Sequence, residues 1–135
     1  SWVIGGGNSF GRTMASLAER GIDPSVVNDQ FGRLSFTEDI AAGVAHLLKV
    51  RPGYGVYNLT NSGDALSWAD IAGLVYEGTG HARHRVSGTS TAEYFAGKQA
   101  APRPLNSVLS LEKIKATGFT SRDVREALVD YLQDA

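Results

Sequence analysis

The amino-acid sequence predicts an α/β fold in which short, mostly parallel strands alternate with amphipathic helices. Two observations lead to this prediction. Short apolar runs, such as residues 2–4, are repeatedly followed by segments whose apolar residues recur at helical spacing. The chain also has 135 residues, of which 42% are apolar and 20% charged, and this size and composition are typical of one globular domain. We therefore expect a single α/β domain over residues 1–135.

The first half of the chain contains the signals of three strands and two helices. The run over 2–4 predicts a buried strand that ends at three glycines, and Asn8 or Ser9 can cap the next helix. Residues 25–36 hold two β-type stretches around Gly32. Thr37 is predicted to cap a second helix. The inward faces predicted for the two helices are Phe10, Met14, Leu17 and Ala18, and then Ile40, Val44, Leu47 and Leu48.

The second half continues the same alternation. Residues 55–60 predict a buried strand, and Ser67 with Asp70 has the spacing of a capping box at the start of the clearest amphipathic helix. The inward, core-facing residues predicted for this helix recur at three- and four-residue spacing and are Trp68, Ile71, Ala72, Val75 and Tyr76. Residues 81–88 predict a short strand, and Ser90 with Glu93 repeats the capping-box spacing. Two prolines make 97–107 irregular, Ser110 can cap a short helix, and 121–133 predicts the last helix.

Composition excludes several functional classes. The net charge is −1, so no overall field favours nucleic acid or an acidic membrane. The chain has no cysteine, which excludes disulfides and thiolate zinc sites. No apolar run reaches the roughly 18 residues that a membrane span requires, and no signal peptide is evident. The first residues read as a strand already under way, without an initiator Met, so we expect a piece of a longer protein.

The glycine loop at 5–7 does not match a known cofactor motif. A dinucleotide fingerprint needs G-x-G-x-x-G, and Gly5 and Gly7 fit, but the third glycine would fall on Phe10. No Lys follows as a P-loop requires. A strand followed by glycines and a helix N-terminus can still hold an anion, so ligand contact and a tight structural turn both stay open.

Few other residues suggest chemistry by themselves. His46 lies among apolar residues and is expected in or near the core, and His81 and His84 have no carboxylate partner for a metal site. Arg103, held between two prolines, suits a phosphate contact or is a surface residue in a rigid loop. Asp29 and Gln30 follow a strand, where open α/β sheets place ligands, or they form a turn. No nucleophile–base arrangement emerges.

Several segments resemble, in order, the C-terminal half of dTDP-4-dehydrorhamnose reductases, which belong to the extended short-chain dehydrogenase/reductase superfamily. They are SWVIGGGNSFGRTM, VVNDQFGRLSFTEDIAAGVAHLL, GVYNLTNSGDALSWADIAGLVYE and RPLNSVLSLEKI. The resemblance covers nearly the whole chain. One departure is Leu34-Ser35 where the family usually has Pro-Thr. The resemblance implies the C-terminal portion of an NAD(P)-binding Rossmann-like fold, with most of the Rossmann core missing.

The resemblance also implies roles for individual residues. Trp2 would pack near the sugar of a dTDP-sugar substrate, and Asn8 and Arg103 would face its diphosphate. Gln30 and Asn106 are further substrate-binding candidates around the nucleotide. Ser1 would lie near the nicotinamide of NADPH, which the missing N-terminal Rossmann domain would mainly bind. Some members of the family use Mg²⁺ at a dimer contact, and Glu38 is the position that this implies here.

As a whole, the resemblance implies the substrate-binding lobe of a cytoplasmic enzyme that reduces dTDP-4-dehydro-L-rhamnose to dTDP-L-rhamnose with NADPH. The lobe would be inactive alone, and a homodimer is one of its expected assemblies. Tyr94 and Lys98 match the spacing of the family's catalytic Tyr-x-x-x-Lys pair, but they lie downstream of the strand that should follow that pair, so we expect them to be non-catalytic. Two alternatives are a non-catalytic regulatory relative and a reductase or epimerase for another nucleotide sugar.

Overall fold

The computed structural model describes residues 1–134, and its strands are short and pair in twos. The strands are β1 (Val3–Ile4), β2 (Ser25–Val27), β3 (Phe31–Gly32), β4 (Ser35–Phe36), β5 (Leu66–Ser67) and β6 (Ser87–Thr89). β1 pairs with β4 and β2 with β6, both in parallel, whereas β3 and β5 are antiparallel. The predicted parallel organisation is therefore confirmed for two of these pairs and wrong for the third.

Helices connect these strands and supply most of the regular structure. They are α1 (Phe10–Glu19), α2 (Thr37–Val50), α3 (Trp68–Gly78), α4 (Thr91–Tyr94), α5 (Glu112–Lys115) and α6 (Val124–Gln133), with a 3₁₀ turn at Arg83–Arg85. Ser9 caps α1, and complete capping boxes form at Ser67 with Asp70 and at Ser90 with Glu93. The capping boxes read from the sequence are thus confirmed. None of the helices within residues 1–134 is both long enough and apolar enough to span a membrane.

Helix α3 is the centre of the core. Its Ile71, Ala72, Val75 and Tyr76 are completely buried, and α3 packs against α1, β2 and α6. The buried Tyr76 hydroxyl donates to the Ile22 carbonyl at 2.6 Å, which satisfies the one polar group in this apolar stripe. The four-residue spacing that predicted this helix therefore also predicted what it buries.

The glycine turn after β1 is tied to the last helix of the chain. The Tyr131 hydroxyl, on α6, lies 3.1 Å from the carbonyl of Gly5 and 2.7 Å from the hydroxyl of Ser9. The same phenol oxygen accepts from the guanidinium of Arg12 at 3.0 Å. Gly7 has a φ of +83°, a left-handed conformation that side-chain-bearing residues rarely adopt. This turn is therefore set by contacts between the two ends of the chain.

Three local predictions are wrong, and a fourth is confirmed in part. Residues 55–60 form no strand, although Thr60 runs beside β4 and its hydroxyl lies 2.7 Å from that of Ser35. Thr37 is the first residue of α2 rather than its cap, and the capping position, Phe36, makes no side-chain capping bond. Residues 83–85 form a 3₁₀ turn before β6, so the expected strand begins later. Leu111 occupies the capping position of α5, but the Ser110 hydroxyl accepts from the Glu112 N–H at 3.4 Å, so the predicted capping contact of Ser110 is present.

The apolar face expected for α2 is largely exposed. Val44 and Leu48, one helical turn apart, are 47% and 71% exposed, and Val3 of β1 is 63% exposed. The helix instead turns Gly43 inward, so closely that an added Cβ would lie 2.6 Å from Leu59. Sequence periodicity correctly predicts that Val44 and Leu48 lie on one face of the helix. Within residues 1–134, however, no side chain covers that face fully.

Candidate functional site

An apolar groove lies between α1, β2, α3 and α4. We call it the α1–α3 groove. It has a volume of about 390 Å³. Its walls are mostly apolar and aromatic, with Phe10, Met14, Leu17, Trp68, Tyr94 and Phe95 among them. Two polar side chains, Gln30 and Arg103, also line it. Apolar walls with a few convergent polar groups are typical of small-molecule sites.

The aromatic wall is built by stacking. Trp68, at the first position of α3, stacks on Trp2 with ring centroids 4.0 Å apart, and Phe10 packs against Trp68 at 4.7 Å. Gly32 permits this arrangement, because a Cβ there would come within 3.0 Å of the Trp2 ring. Trp68 was expected to be a core residue; it packs against the core and also presents a surface to the groove.

The Gln30 amide belongs to a short chain of hydrogen bonds at the floor of the groove. Gln30 is 7% exposed, and its Nε2 donates to the Thr91 hydroxyl at 3.1 Å. That hydroxyl donates to the Asp29 carboxylate at 2.5 Å, and the Thr91 backbone N–H donates to the same oxygen at 2.9 Å. The hydrogen bond from Thr91 holds the pKa of Asp29 below its ordinary value. The strand end predicted to carry ligand-facing residues therefore carries a structured polar group.

Arg103 supplies the positive charge of the groove. It is exposed, stands between Pro102 and Pro104, and makes no ion pair with any residue in 1–134. A free guanidinium beside an aromatic groove suits a bidentate contact with a phosphate. Gln30 and Arg103 are therefore the two predicted site residues that the structure brings together.

The other predicted site residues lie elsewhere. The Ser1 hydroxyl donates to the Ser107 carbonyl at 3.4 Å. Asn8 is exposed just before the Ser9 cap. Asn106 accepts from the Val108 N–H at 2.9 Å and lines a different depression, beside Arg33. Their assigned contacts stay predictions.

Glu38 lines a smaller, polar pocket of about 210 Å³ behind the glycine turn, together with Arg12, Arg122 and Asp130. Arg122 pairs with Asp130 at 2.6 Å and with Asp39 at 3.0 Å. Within residues 1–134, no group of three or more histidines, cysteines or carboxylates comes together to hold a metal. Two arginine side chains, Arg12 and Arg122, therefore line this pocket beside its carboxylates. The side chains present do not form an Mg²⁺ site by themselves, because Mg²⁺ requires several oxygen ligands.

Tyr94 and Lys98 form a cation–π pair, with the ammonium 4.3 Å from the ring centroid. His46 is half-buried and bonds to Thr117 through Nε2 at 3.0 and 3.1 Å, as expected for a residue at the core boundary. His81 lies 3.2 Å from the Thr79 hydroxyl. That Tyr94 and Lys98 are non-catalytic stays a prediction.

Comparison with known proteins identifies the family. The model of the RmlD substrate binding domain matches residues 1–135. The chain belongs to the RmlD substrate-binding domain family. Among curated relatives, the spore coat polysaccharide biosynthesis protein SpsK of Bacillus subtilis is 40% identical over 99% of this chain and 45% of its own length. A dTDP-4-dehydrorhamnose reductase of Escherichia coli is 37% identical over 85% of this chain and 40% of its own length. A probable dTDP-4,6-dihydroxy-2-methyloxan-3-one 4-ketoreductase of Streptomyces antibioticus is 34% identical over 99% of this chain and 45% of its own length.

Solved structures of the same family share the fold. The dTDP-4-dehydrorhamnose reductase of Clostridium acetobutylicum superposes with a TM-score of 0.86 at 31% identity, covering 98% of this chain and 46% of that one. The Bacillus anthracis reductase in complex with NADP gives a TM-score of 0.83 at 28% identity, covering 99% and 46%. The chain thus spans about half the length of these proteins. The α/β fold predicted as the C-terminal portion of an extended short-chain dehydrogenase/reductase is confirmed.

Within this RmlD substrate-binding domain, sequence reasoning missed part of the groove. Phe10 and Trp68 looked like core residues, because helical periodicity cannot separate a residue that packs on the core from one that also faces a cavity. The sequence did not predict a role for Thr91, because its partner Asp29 lies 62 positions earlier in the chain. The adjacency of Asp29 and Gln30 at a strand end was the only local signal of this network.

Proposed function

We propose that this chain binds the nucleotide-sugar substrate of a reductase that converts dTDP-4-dehydro-L-rhamnose to dTDP-L-rhamnose. The supporting observation is the α1–α3 groove, where aromatic walls meet one buried amide and one unpaired guanidinium. Flat rings suit stacking with a base or contact with a pyranose face. Arg103 suits the diphosphate between them. The naming of the curated relatives as dTDP-sugar enzymes supports the same substrate class.

The remaining substrate and cofactor contacts follow from the family resemblance. Trp2, which is stacked on Trp68, is proposed to contact the sugar. Asn8 is proposed to contact the phosphates, and Asn106 the nucleotide. Ser1 is proposed to lie near the nicotinamide. The cytoplasmic location of the enzyme and its assembly as a homodimer also stay predictions from the family resemblance.

NADPH is proposed to bind mainly outside this chain. Where a dinucleotide fingerprint needs its third glycine, Phe10 is present and its ring packs against Trp68, so the glycine loop at 5–7 does not match a dinucleotide-binding loop. The nicotinamide would supply the hydride. The residues described here bind and orient the sugar nucleotide. Mg²⁺ at Glu38 rests on the resemblance alone, since the neighbouring carboxylates of Asp39 and Asp130 already pair with Arg122.

We further propose that residues 1–135 act as one substrate-binding lobe that docks on a cofactor-binding domain. The support is the exposed apolar surface of β1 and α2, carried by Val3, Val44 and Leu48. Isolated exposed apolar side chains are common, but two on one helical turn beside a two-stranded sheet favour a covering partner. A ketoreductase for another dTDP-sugar is the second candidate, favoured by the similarity to the Streptomyces protein over 99% of this chain.

Calorimetry with dTDP and thymidine tests the substrate proposal. Arg103→Ala is expected to weaken dTDP binding by about tenfold to a hundredfold and thymidine binding hardly at all, because a charge-assisted hydrogen bond to a phosphate contributes about 1.5–3 kcal/mol. Arg20→Ala, an exposed arginine at the end of α1 that does not line the groove, is the matched control. Equal heats for dTDP in the Arg103 and Arg20 variants would exclude the phosphate role. Turnover of each candidate sugar by the chain joined to its cofactor-binding domain then separates the two reductase candidates.

A further inference from the structure

The hydrogen bonds of Thr91 permit only one orientation of the Gln30 amide. A carboxylate can only accept hydrogen bonds, so the Thr91 hydroxyl must use its single proton toward Asp29. The lowered pKa of Asp29 is consistent with an ionised carboxylate. The Thr91 oxygen can then only accept from Gln30, so the NH₂ end of the amide must face it at 3.1 Å. This conclusion does not depend on how an amide's oxygen and nitrogen are told apart, because the reverse orientation would place two acceptors together.

The remaining hydrogen-bonding capacity of Gln30 is available to a ligand. Its Oε1 has no partner within residues 1–134 and is not among the fully buried polar atoms that lack one, so it keeps some exposure to solvent, and Gln30 lines the groove. The second N–H of Nε2 is also unused. The side chain itself is almost completely enclosed, at 7% exposure. The groove therefore presents an acceptor and an adjacent donor in a fixed order.

We propose that Asp29 and Thr91 are positioning residues that lock the Gln30 amide so that it reads the imide edge of a pyrimidine base. This inference rests on the proposed function, since it places the base of the sugar nucleotide in the α1–α3 groove. Thymine and uracil carry an N3–H donor flanked by carbonyl acceptors, which matches Oε1 and the free N–H of Gln30. Cytosine presents an unprotonated N3 at the same place, which would face Oε1 as a second acceptor. With the base held in the same position, a free glutamine could rotate its amide to suit cytosine, whereas one fixed by Thr91 would pair with cytosine only if the base shifted along its edge.

Competition between dTDP and dCDP tests the inference, with UDP as a second imide probe. The two deoxynucleotides share the same sugar and diphosphate, so their affinity ratio isolates the base. The unsubstituted chain is expected to prefer dTDP by about tenfold to a hundredfold, the range that a bidentate base contact gives. Thr91→Val, which removes the hydroxyl at nearly constant shape, is expected to bring the ratio close to one. Thr91→Ser keeps the hydroxyl and is expected to keep the preference.

Two further variants complete the design. Thr13→Val removes a hydroxyl from the exposed side of α1, away from Gln30, and is the matched control that should keep the preference. Asp29→Ala frees the Thr91 hydroxyl to donate in either direction, and it should lose the preference even if Thr91→Val folds poorly. Retention of the full dTDP preference in both Thr91→Val and Asp29→Ala would overturn the positioning role.

The two proposals fail in different ways. If the unsubstituted chain binds dTDP and dCDP equally, the reading of the imide edge is wrong while the nucleotide-binding function stands. If it binds neither nucleotide, the proposed function and this inference are both overturned. Weakened dTDP binding in Arg103→Ala with an unchanged base preference would support both.

Discussion

The indole rings of Trp2 and Trp68 are stacked, with centroids 4.0 Å apart and planes inclined by 25°. This contact joins the residue that precedes β1 to the first residue of α3. Gly32 also packs closely against Trp2, since a Cβ at position 32 would lie 3.0 Å from the Trp2 ring. The groove wall is therefore supported by a close packing of two rings and one glycine.

Gly32→Ala is expected to destabilise the domain by about 1–3 kcal/mol, because the new methyl group must displace a packed ring. Urea unfolding measures the free energy, and near-ultraviolet circular dichroism reports the indole pair. In the Trp2→Ala background the same substitution should cost much less, since nothing remains to be displaced. Equal costs in the two backgrounds would show that Gly32 is not in contact with Trp2 in solution.

Asn61 is expected to be one of the most sensitive polar positions. It is completely buried, accepts from the Phe36 N–H at 2.9 Å and donates to Asp39 at 2.6 Å. Asn61→Ala leaves that N–H without its partner and should lower the free energy of unfolding by about 2 kcal/mol. Asn8→Ala, at an exposed asparagine, is the control and should change the unfolding free energy little. Similar losses in both variants would argue against the buried network.

Glu93 should contribute to the acid sensitivity of the domain. The backbone N–H and side chain of Ser90 lower the pKa of Glu93 through the capping box. Because the pKa in the folded state is lowered, this stabilisation is complete above the ordinary glutamate value of about 4.3 and disappears as the pH falls through the folded-state pKa. Glu93→Gln should therefore be less stable than the unsubstituted chain at pH 7, with the difference becoming smaller as the pH falls below the ordinary glutamate value. A difference that is constant with pH would contradict this assignment.

The exposed face of α2 should govern self-association when no other domain covers it. Leu48 is 71% exposed, so Leu48→Glu is expected to leave stability within about 0.5 kcal/mol while reducing the apolar surface. Sedimentation velocity of the 135-residue chain measures the outcome as a shift towards monomer. Val129→Glu, at a half-exposed valine on α6, is the matched control. If both variants associate like the unsubstituted chain, the α2 face is not the contact.

The sequence was most informative where a signal is local. Helix α3 and its capping box follow from residues within four positions of one another, and they were predicted with their buried face. The segment 55–60 was not, because its apolar alternation looks the same whether or not a neighbouring strand is present to pair with it. The exposure of Val44 and Leu48 has the same cause: periodicity identifies an apolar face but not what covers it.

The candidate site divides in the same way. Gln30 and Arg103 were predicted from a strand end and a proline-flanked arginine. Their shared groove depends on aromatic residues from three separate elements, and the orientation of Gln30 depends on Thr91, 61 positions later. No local pattern encodes a contact of that separation, so only the tertiary structure could show it.

The bond from Tyr131 to the Gly5 carbonyl spans 126 positions of the chain. During synthesis, the glycine turn leaves the ribosome long before the residue that fixes it. The turn can therefore take its final hydrogen-bonded form only after nearly the whole of this domain has been translated. Contacts of such separation slow folding because the chain must close a long loop before it gains from them. The order of synthesis thus makes the first turn of this domain one of the last parts to be completed.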